Sequence, residues 1–345
     1  MHLLAIDWVF FAEKLILIVV IISISLGVAM YSTWGERKVA AFMQDRIGPN
    51  RAGPFGLFQP LADGLKLFMK EEIFPSSSNK FLFILGPCLA MLTAMMTSAV
   101  IPWSSPLSIG GREVPLQIAD VNIGILYVFG VVSMGVYGIM MGGWASNNKF
   151  SLLAAVRGAS QIISYELAMG LSLISLLMIS GSLSLRTIAD QQAHGFWYVV
   201  YQPVGFIIFF VCALAECNRT PFDLSEAENE LNFGYHQEYS SMKLGFYLFA
   251  EYVNMFISSA IMATLFFGGY SLPWVHIADP NLAAIVGVIA LFAKTIFFIF
   301  VFMWIRWTIP RFRYDQLMRL GWNNLIPLAL ANMVITGAIV LWLKK

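Results

Sequence analysis

The chain has 345 residues, 59% of them hydrophobic and 12% charged, with a formal net charge of +1. A mean hydropathy of +0.74 leaves too little polar surface to coat a water-soluble globule. The near-neutral balance and dispersed basic residues also argue against nucleic acid as a partner.

From the N-terminus, apolar runs recur near residues 15–34, 81–103, 121–143, 162–181, 198–215, 244–268, 282–305 and 325–343. Each is close to the ~20 residues that cross a ~30 Å hydrocarbon core as an α-helix, which satisfies every backbone N–H and C=O within the segment. The runs predict an all-α membrane protein, one polytopic domain over 1–345 with about eight transmembrane helices. Strands are not expected, because the ~10-residue alternating segments of a membrane barrel are missing. The first run is read as a retained helix. Asp7 and Glu13 precede it where a cleaved signal carries basic residues, and Arg37 and Lys38 follow it.

Of the 21 Lys and Arg residues, Lys294 lies inside a run, and only Lys14, Arg112, Arg186, Lys344 and Lys345 fall on the side that holds both termini. The other side carries three times as many. That bias makes the richer side cytoplasmic and puts both termini on the periplasmic side.

The cytoplasmic segments are expected near 35–80, 144–161, 216–243 and 305–324. In the first, Glu36, Arg37, Lys38, Asp45, Arg46 and Arg51 surround Gly48-Pro49-Asn50 and Gly53-Pro54, turn chemistry suited to a rigid charged loop. Beyond Pro60, Leu61, Leu65 and Phe68 share one helical face while Asp63, Lys66 and Lys70 share the other, which predicts an amphipathic interfacial helix. Its amphipathicity fits a surface anchor equally well; the charged turns favour docking of a soluble partner. The segment 216–243 concentrates Glu216, Asp223, Glu226, Glu228, Glu230 and Glu238 against Arg219 and Lys243. Such a run is either wet surface or, given Phe222, Phe233, Tyr235 and Tyr239, a packed site in which crowded carboxylates titrate nearer neutrality and can carry protons. In the last segment, Arg306, Arg311 and Arg313 beside Trp307, Phe312 and Tyr314 are explained by interfacial anchoring alone.

Glu166, Glu251 and Lys294 lie within apolar runs, where an ionisable group must face the bundle interior or water. Proton transfer and a structural Glu251–Lys294 ion pair both predict interior placement. Cys88, Cys212 and Cys217 have no metal-ligand spacing, and no phosphate loop or dinucleotide motif occurs, so redox and nucleotide chemistry is expected in partners.

The runs GERKVAAFMQDRIGPNRAGPFGLFQPLADGLKLFMKEE, AAVRGASQIISYE, AECNRTPFDLSEAENELNFGYHQEYSSMK, EYVNMF and WIRWTIPRFRYDQLMRLGW closely resemble the H-subunit family of NADH:quinone oxidoreductase, in order and over essentially the whole chain. The resemblance implies a membrane subunit of bacterial respiratory complex I in the inner membrane, set where the membrane arm meets the soluble arm. Its substrate would be a quinone, and the chain would bind no cofactor of its own, with NAD, FMN and iron–sulfur clusters held by partner subunits. The residues that match the family's quinone chamber and interface are Arg37, Lys38, Gln44, Arg46 and Asp63, with Arg306 and Arg311 contributed later in the chain. Those that match its proton-coupling funnel are Glu166, Glu216, Asp223, Glu226, Glu228 and Glu251, balanced by Arg219, with Lys294 added from its place in a helix. Glu238 and Tyr239 match the end of the same motif, as chamber or loop-ordering residues. Asn232, Phe58 and Asn323 depart from the family pattern without touching the acids. A related subunit of a membrane-bound hydrogenase and a free-standing proton or cation transporter are the alternatives, and ubiquinone is not separable from menaquinone.

Overall fold

The computed structural model describes residues 8–343 except 110, 194, 227 and 274–278. Asp7, which bears on the reading of the first run, and Lys344 and Lys345, which bear on orientation, lie outside the described residues. The helices are α1 (Trp8–Met43), α2 (Gln59–Met69), α3 (Lys80–Thr97), α4 (Gly124–Ala145), α5 (Lys149–Ser180), α6 (Leu185–Ala193), α7 (Tyr198–Tyr201), α8 (Pro203–Glu216), α9 (Glu228–Leu231), α10 (Ser241–Phe266), α11 (Pro280–Thr308), α12 (Tyr314–Arg319) and α13 (Ile326–Leu343). A π-helical turn, Leu320–Leu325, fuses α12 to α13.

Among the described residues, seven helical segments are long and apolar enough to cross a membrane, against about eight expected. The difference lies at 198–215. Pro203 has no N–H to donate and starts a new helix at its first turn, so the run divides at Gln202 into α7 and a 14-residue α8. At 1.5 Å per residue α8 spans about 21 Å, short of the hydrocarbon core.

Two further differences concern the loops. Helix α1 continues through GERKVAAFM to Met43, and α5 begins at Lys149, so much of the polar sequence expected as loop in 35–80 and 144–161 is helix projecting past the apolar core. Against the expectation of no strands, β1 (Leu107–Ile109) and β2 (Arg112–Val114) form a short antiparallel hairpin between α3 and α4. It is too short for an alternating pattern to register. The amphipathic helix α2 does form, with Leu61, Leu65 and Phe68 exposed on its apolar face.

Helix α10 is the centre of the bundle: 78% of its apolar window is buried, against 22% for α1 and 17% for the last span, which lie at the periphery. Glycines set the closest approaches. A Cβ on Gly138 of α4 would come within 2.9 Å of the Ala90 nitrogen of α3, and one on Gly158 of α5 within 2.8 Å of the Ser225 Cβ. In lipid, where burial gives helices little reason to associate, small residues of this kind allow dispersion contacts between backbones. The acidic segment 217–240 is drawn onto the same end of the bundle by an aromatic cluster. Tyr239 stacks on Phe83 at 4.0 Å and donates to the Phe83 carbonyl at 3.1 Å, while Tyr247 donates to the Gly138 carbonyl at 3.1 Å and packs edge-on to Tyr235.

Candidate functional site

The charged segments converge on a buried ion-pair cluster where α1, α10, α11 and the loop after α8 meet. Its position follows from α1. Ser25, Ala29, Ser32, Glu36 and Ala40 recur at helical spacing and are all buried, so the inward stripe of the membrane helix carries Glu36 inward one turn beyond its apolar part. Glu36 pairs with Arg306 at 2.5 Å, accepts the Tyr252 hydroxyl at 2.8 Å and lies 3.7 Å from Arg219. Arg219 lies 3.7 Å from Glu251 in turn, with its guanidinium 4.1 Å from the Tyr252 ring centre. Charges this deep are tolerated only when paired, and here two carboxylates share two arginines.

A second pair adjoins the first. Arg311 donates to Asp223 at 2.7 Å, and Phe312 closes over Phe222. Burial, reinforced by Glu226, raises the Asp223 carboxyl to about 7 in spite of Arg311 and Arg219. His236 in the same loop is pushed the other way, down from its ordinary value, because burial disfavours the imidazolium more than Glu226 supports it. Gln161 ties the loop to α5 by donating to the Ala215 and Phe222 carbonyls at 2.8 and 2.6 Å.

Behind the cluster lies a narrow cavity of ≈ 40 Å³ whose wall includes Thr97, Glu216, Asn218, Tyr235, Glu251 and Asn254. A smaller one of ≈ 20 Å³ also reaches Glu216 and Asn254, then continues between Ile257, Ile261 and Leu265. Glu251 Oε1 on this wall has no hydrogen-bond partner, nor do the buried Arg219 Nε and Nη2 and Asp223 Oδ1 of the adjoining loop or Gln161 Oε1 of α5. Glu166 lies one step further, its carboxylate accepting from Ser133, within electrostatic reach of Glu216.

Among the expected funnel residues, Glu216, Asp223, Glu226 and Glu251 therefore come together, with Glu166 adjoining. The side chain of Glu228 lies outside the described residues. Lys294 stands apart. Its Nζ donates to the carbonyls of Phe267, Gly269 and Ser271 at 2.8, 2.7 and 2.8 Å. Those carbonyls follow the end of α10, sixteen residues or about 24 Å along the axis from Glu251. The Glu251–Lys294 ion pair considered from sequence does not form; Glu251 pairs with Arg219, and Lys294 caps the negative end of the α10 dipole.

The expected chamber residues form a rim outside the cluster. Arg37 pairs with Asp63 at 2.8 Å, joining α1 to α2, and Arg46 donates to Gln44 at 2.7 Å. Lys38 lies over the Trp34 ring. Glu238 accepts from Asn148 at 2.8 Å, and Tyr239 is buried in the aromatic cluster. Arg306 and Arg311 turn inward as partners of Glu36 and Asp223, where interfacial anchoring alone would leave them in the headgroups. Glu36 is missing from the expected site, although the small-residue stripe through Ser25, Ala29 and Ser32 points to it. Among the described residues no three His, Cys, Asp or Glu side chains gather as a metal site.

A family model described as NADH dehydrogenase matches residues 15–337. Curated relatives include an H subunit of the NADH-quinone oxidoreductase of Cytophaga hutchinsonii, 63% identical over 96% of this chain and 98% of that protein. The corresponding NADH-quinone oxidoreductase H subunit of Flavobacterium johnsoniae is 63% identical over 96% of both chains. One of the H subunits of Geobacter metallireducens is 48% identical over 94% of this chain and 95% of that protein. With a match that runs nearly from end to end, the chain belongs to the H-subunit family of NADH-quinone oxidoreductases.

Proposed function

We propose that this chain is the membrane subunit that receives quinone reduction at its charged end and converts it into proton movement. Family membership makes it part of an NADH-quinone oxidoreductase, and it weighs against both a free-standing transporter and a hydrogenase scaffold. The observation that carries the coupling role is the cavity shared by Glu216 and Glu251 beside the Glu36–Arg219–Arg306 cluster.

Size separates two roles. A water needs roughly 10–15 Å³, so ≈ 40 Å³ admits a short file of waters, whereas ligand pockets run to ~300 Å³ or more. The quinone headgroup therefore belongs outside, in a chamber walled by Arg37, Lys38, Gln44, Arg46 and Asp63 and completed by soluble-arm subunits. Those partners would carry NAD, FMN and the iron–sulfur clusters. Charge that appears there on reduction acts inward through α1, since Arg37 faces the rim and Glu36 the interior of one helical turn. At an effective dielectric of about 20, a unit charge at ~7 Å is felt as about 2.4 kcal/mol, more than one pKa unit. That is enough to redistribute protons among Glu216, Glu251, Asp223 and Glu226, with Glu166 next in line and membrane-arm partners beyond. The polar side chains of the cavity wall, among them Glu251 with its unpartnered Oε1, suit water as the carrier. Lys294 is assigned to holding the α10 terminus, outside this chain of acids. The charged end faces the cytoplasm of a bacterial inner membrane in this reading, by the excess of Lys and Arg.

The test is purification in mild detergent. Co-purification of soluble-arm subunits with NADH oxidation by a quinone acceptor is expected; a chain that purifies alone, or with hydrogenase subunits, overturns the assignment.

A further inference from the structure

At the opposite end of the bundle, two cavities adjoin at Leu17 of α1. One, of ≈ 180 Å³, is lined only by apolar side chains, with Leu17, Ile21 and Ile24 on α1 facing Trp103, Val288 and Phe292. The other, of ≈ 170 Å³, shares Leu17 with it and is lined by Glu13, Lys14, Arg112 and Glu113. We propose that the two together form a binding site for a phospholipid with a zwitterionic, phosphoethanolamine-type headgroup.

Three features carry this. The first is dimension: Lys14 to Ile24 spans about 15 Å of helix, half of the ~30 Å hydrocarbon core and so one leaflet's acyl chain. The second is polarity, which changes along the slot from paired charges to carbon alone, as a phospholipid does. The third is charge. Two cations and two anions meet at the headgroup level, which suits a phosphate and an ammonium together better than a phosphate alone. Lys14 spends one donor on the Gln117 carbonyl at 2.8 Å, leaving two of its three for phosphate oxygens. The slot lies on a peripheral helix, where lipid is the surrounding solvent. The inference is independent of the redox reading.

The experiment uses the purified complex in nanodiscs containing phosphatidylethanolamine with a photoactivatable acyl chain, followed by mapping of adducts by mass spectrometry. Adducts are expected at the slot residues Leu17, Ile21, Ile24, Val288 and Phe292, several-fold above the outward residues Leu15, Ile16 and Val19. Val288→Trp, which fills the groove, should abolish them, and Lys14→Gln should reduce them several-fold. A phosphatidylglycerol probe of the same chain should label several-fold less. Equal labelling of slot and outward face, equal labelling by both probes, or a slot closed by a neighbouring subunit's helix in wild-type complex each overturns the proposal, even if Val288→Trp fails to fold.

Discussion

The buried cluster and the exposed rim are built from the same residue types a few ångströms apart, yet they do opposite things. Glu36 and Arg219 are each about 5% exposed, and removal of either leaves an uncompensated charge in a dry site. Arg37 and Asp63 make a shorter contact, 2.8 Å against 3.7 Å, but their side chains are 51% and 28% exposed. A pair of that kind contributes about 0–1 kcal/mol. Distance alone would therefore rank them wrongly, and burial decides. The cluster gathers its acids into one electrostatic unit, while the rim pair is exposed and contributes little to the fold.

Mutations sharpen the contrast. Arg219→Leu should have the largest effect, about 3–5 kcal/mol, because Glu36 and Glu251 both lose a shared partner. Loss of subunit from the assembled complex on a native gel is expected, with partial recovery in the Arg219→Leu, Glu251→Leu double variant; wild-type assembly would remove the cluster's structural role. Lys294→Met comes next. It strips three carbonyls of their donor at about 1–3 kcal/mol for a buried group. A lower unfolding temperature with an unchanged proton-to-electron ratio is expected, and an altered ratio would return Lys294 to the proton path.

Asp223 supplies a pH test. Its folded pKa of about 7 is raised above the ~3.9 of an unfolded chain, so the folded state prefers the protonated form. The stabilisation this gives is complete below about pH 4 and is lost as pH rises through about 7. Asp223→Asn should remove one carboxyl titration near neutrality from infrared spectra of the complex, and should flatten the stability profile between about pH 4 and 7. An unchanged titration would place Asp223 among ordinary ionised carboxylates. The smallest effect on stability is expected for Arg37→Ala, under about 1 kcal/mol. Its KM for quinone should rise severalfold while assembly stays intact; loss of assembly would erase the distinction between rim and cluster.

Much of this architecture is legible in the residues. The Leu61, Leu65, Phe68 face announces α2, and the apolar runs announce the long helices to within a turn or two at their membrane ends. What escapes is tertiary. GERKV is polar enough to be taken as loop, yet Ser32, Glu36 and Ala40 keep the helical stripe of Ser25 and Ala29, and the pairing with Arg306 stabilises a carboxylate that no local rule would bury. The hairpin at 107–114 is too short to alternate. Lys294 looks like a partner for Glu251 because both lie within membrane helices. Which carbonyls or carboxylates it meets depends on depth along α10, which spacing within separate helices does not encode. The acids of 216–226 carry the site's chemistry in sequence, but whether they are wet or buried is decided by Tyr239 on Phe83 and Gln161 on the Phe222 carbonyl.

The most direct measurement concerns Glu216, the carboxylate common to both cavities. In the complex reconstituted into liposomes, Glu216→Gln keeps the shape of the side chain and removes its proton. Assembly at the wild-type level, with quinone reduction and proton translocation falling together by about 10²-fold, is the expected result. Full quinone reduction with full proton translocation in that variant would contradict the account, since the cavity would then carry nothing that the reaction needs.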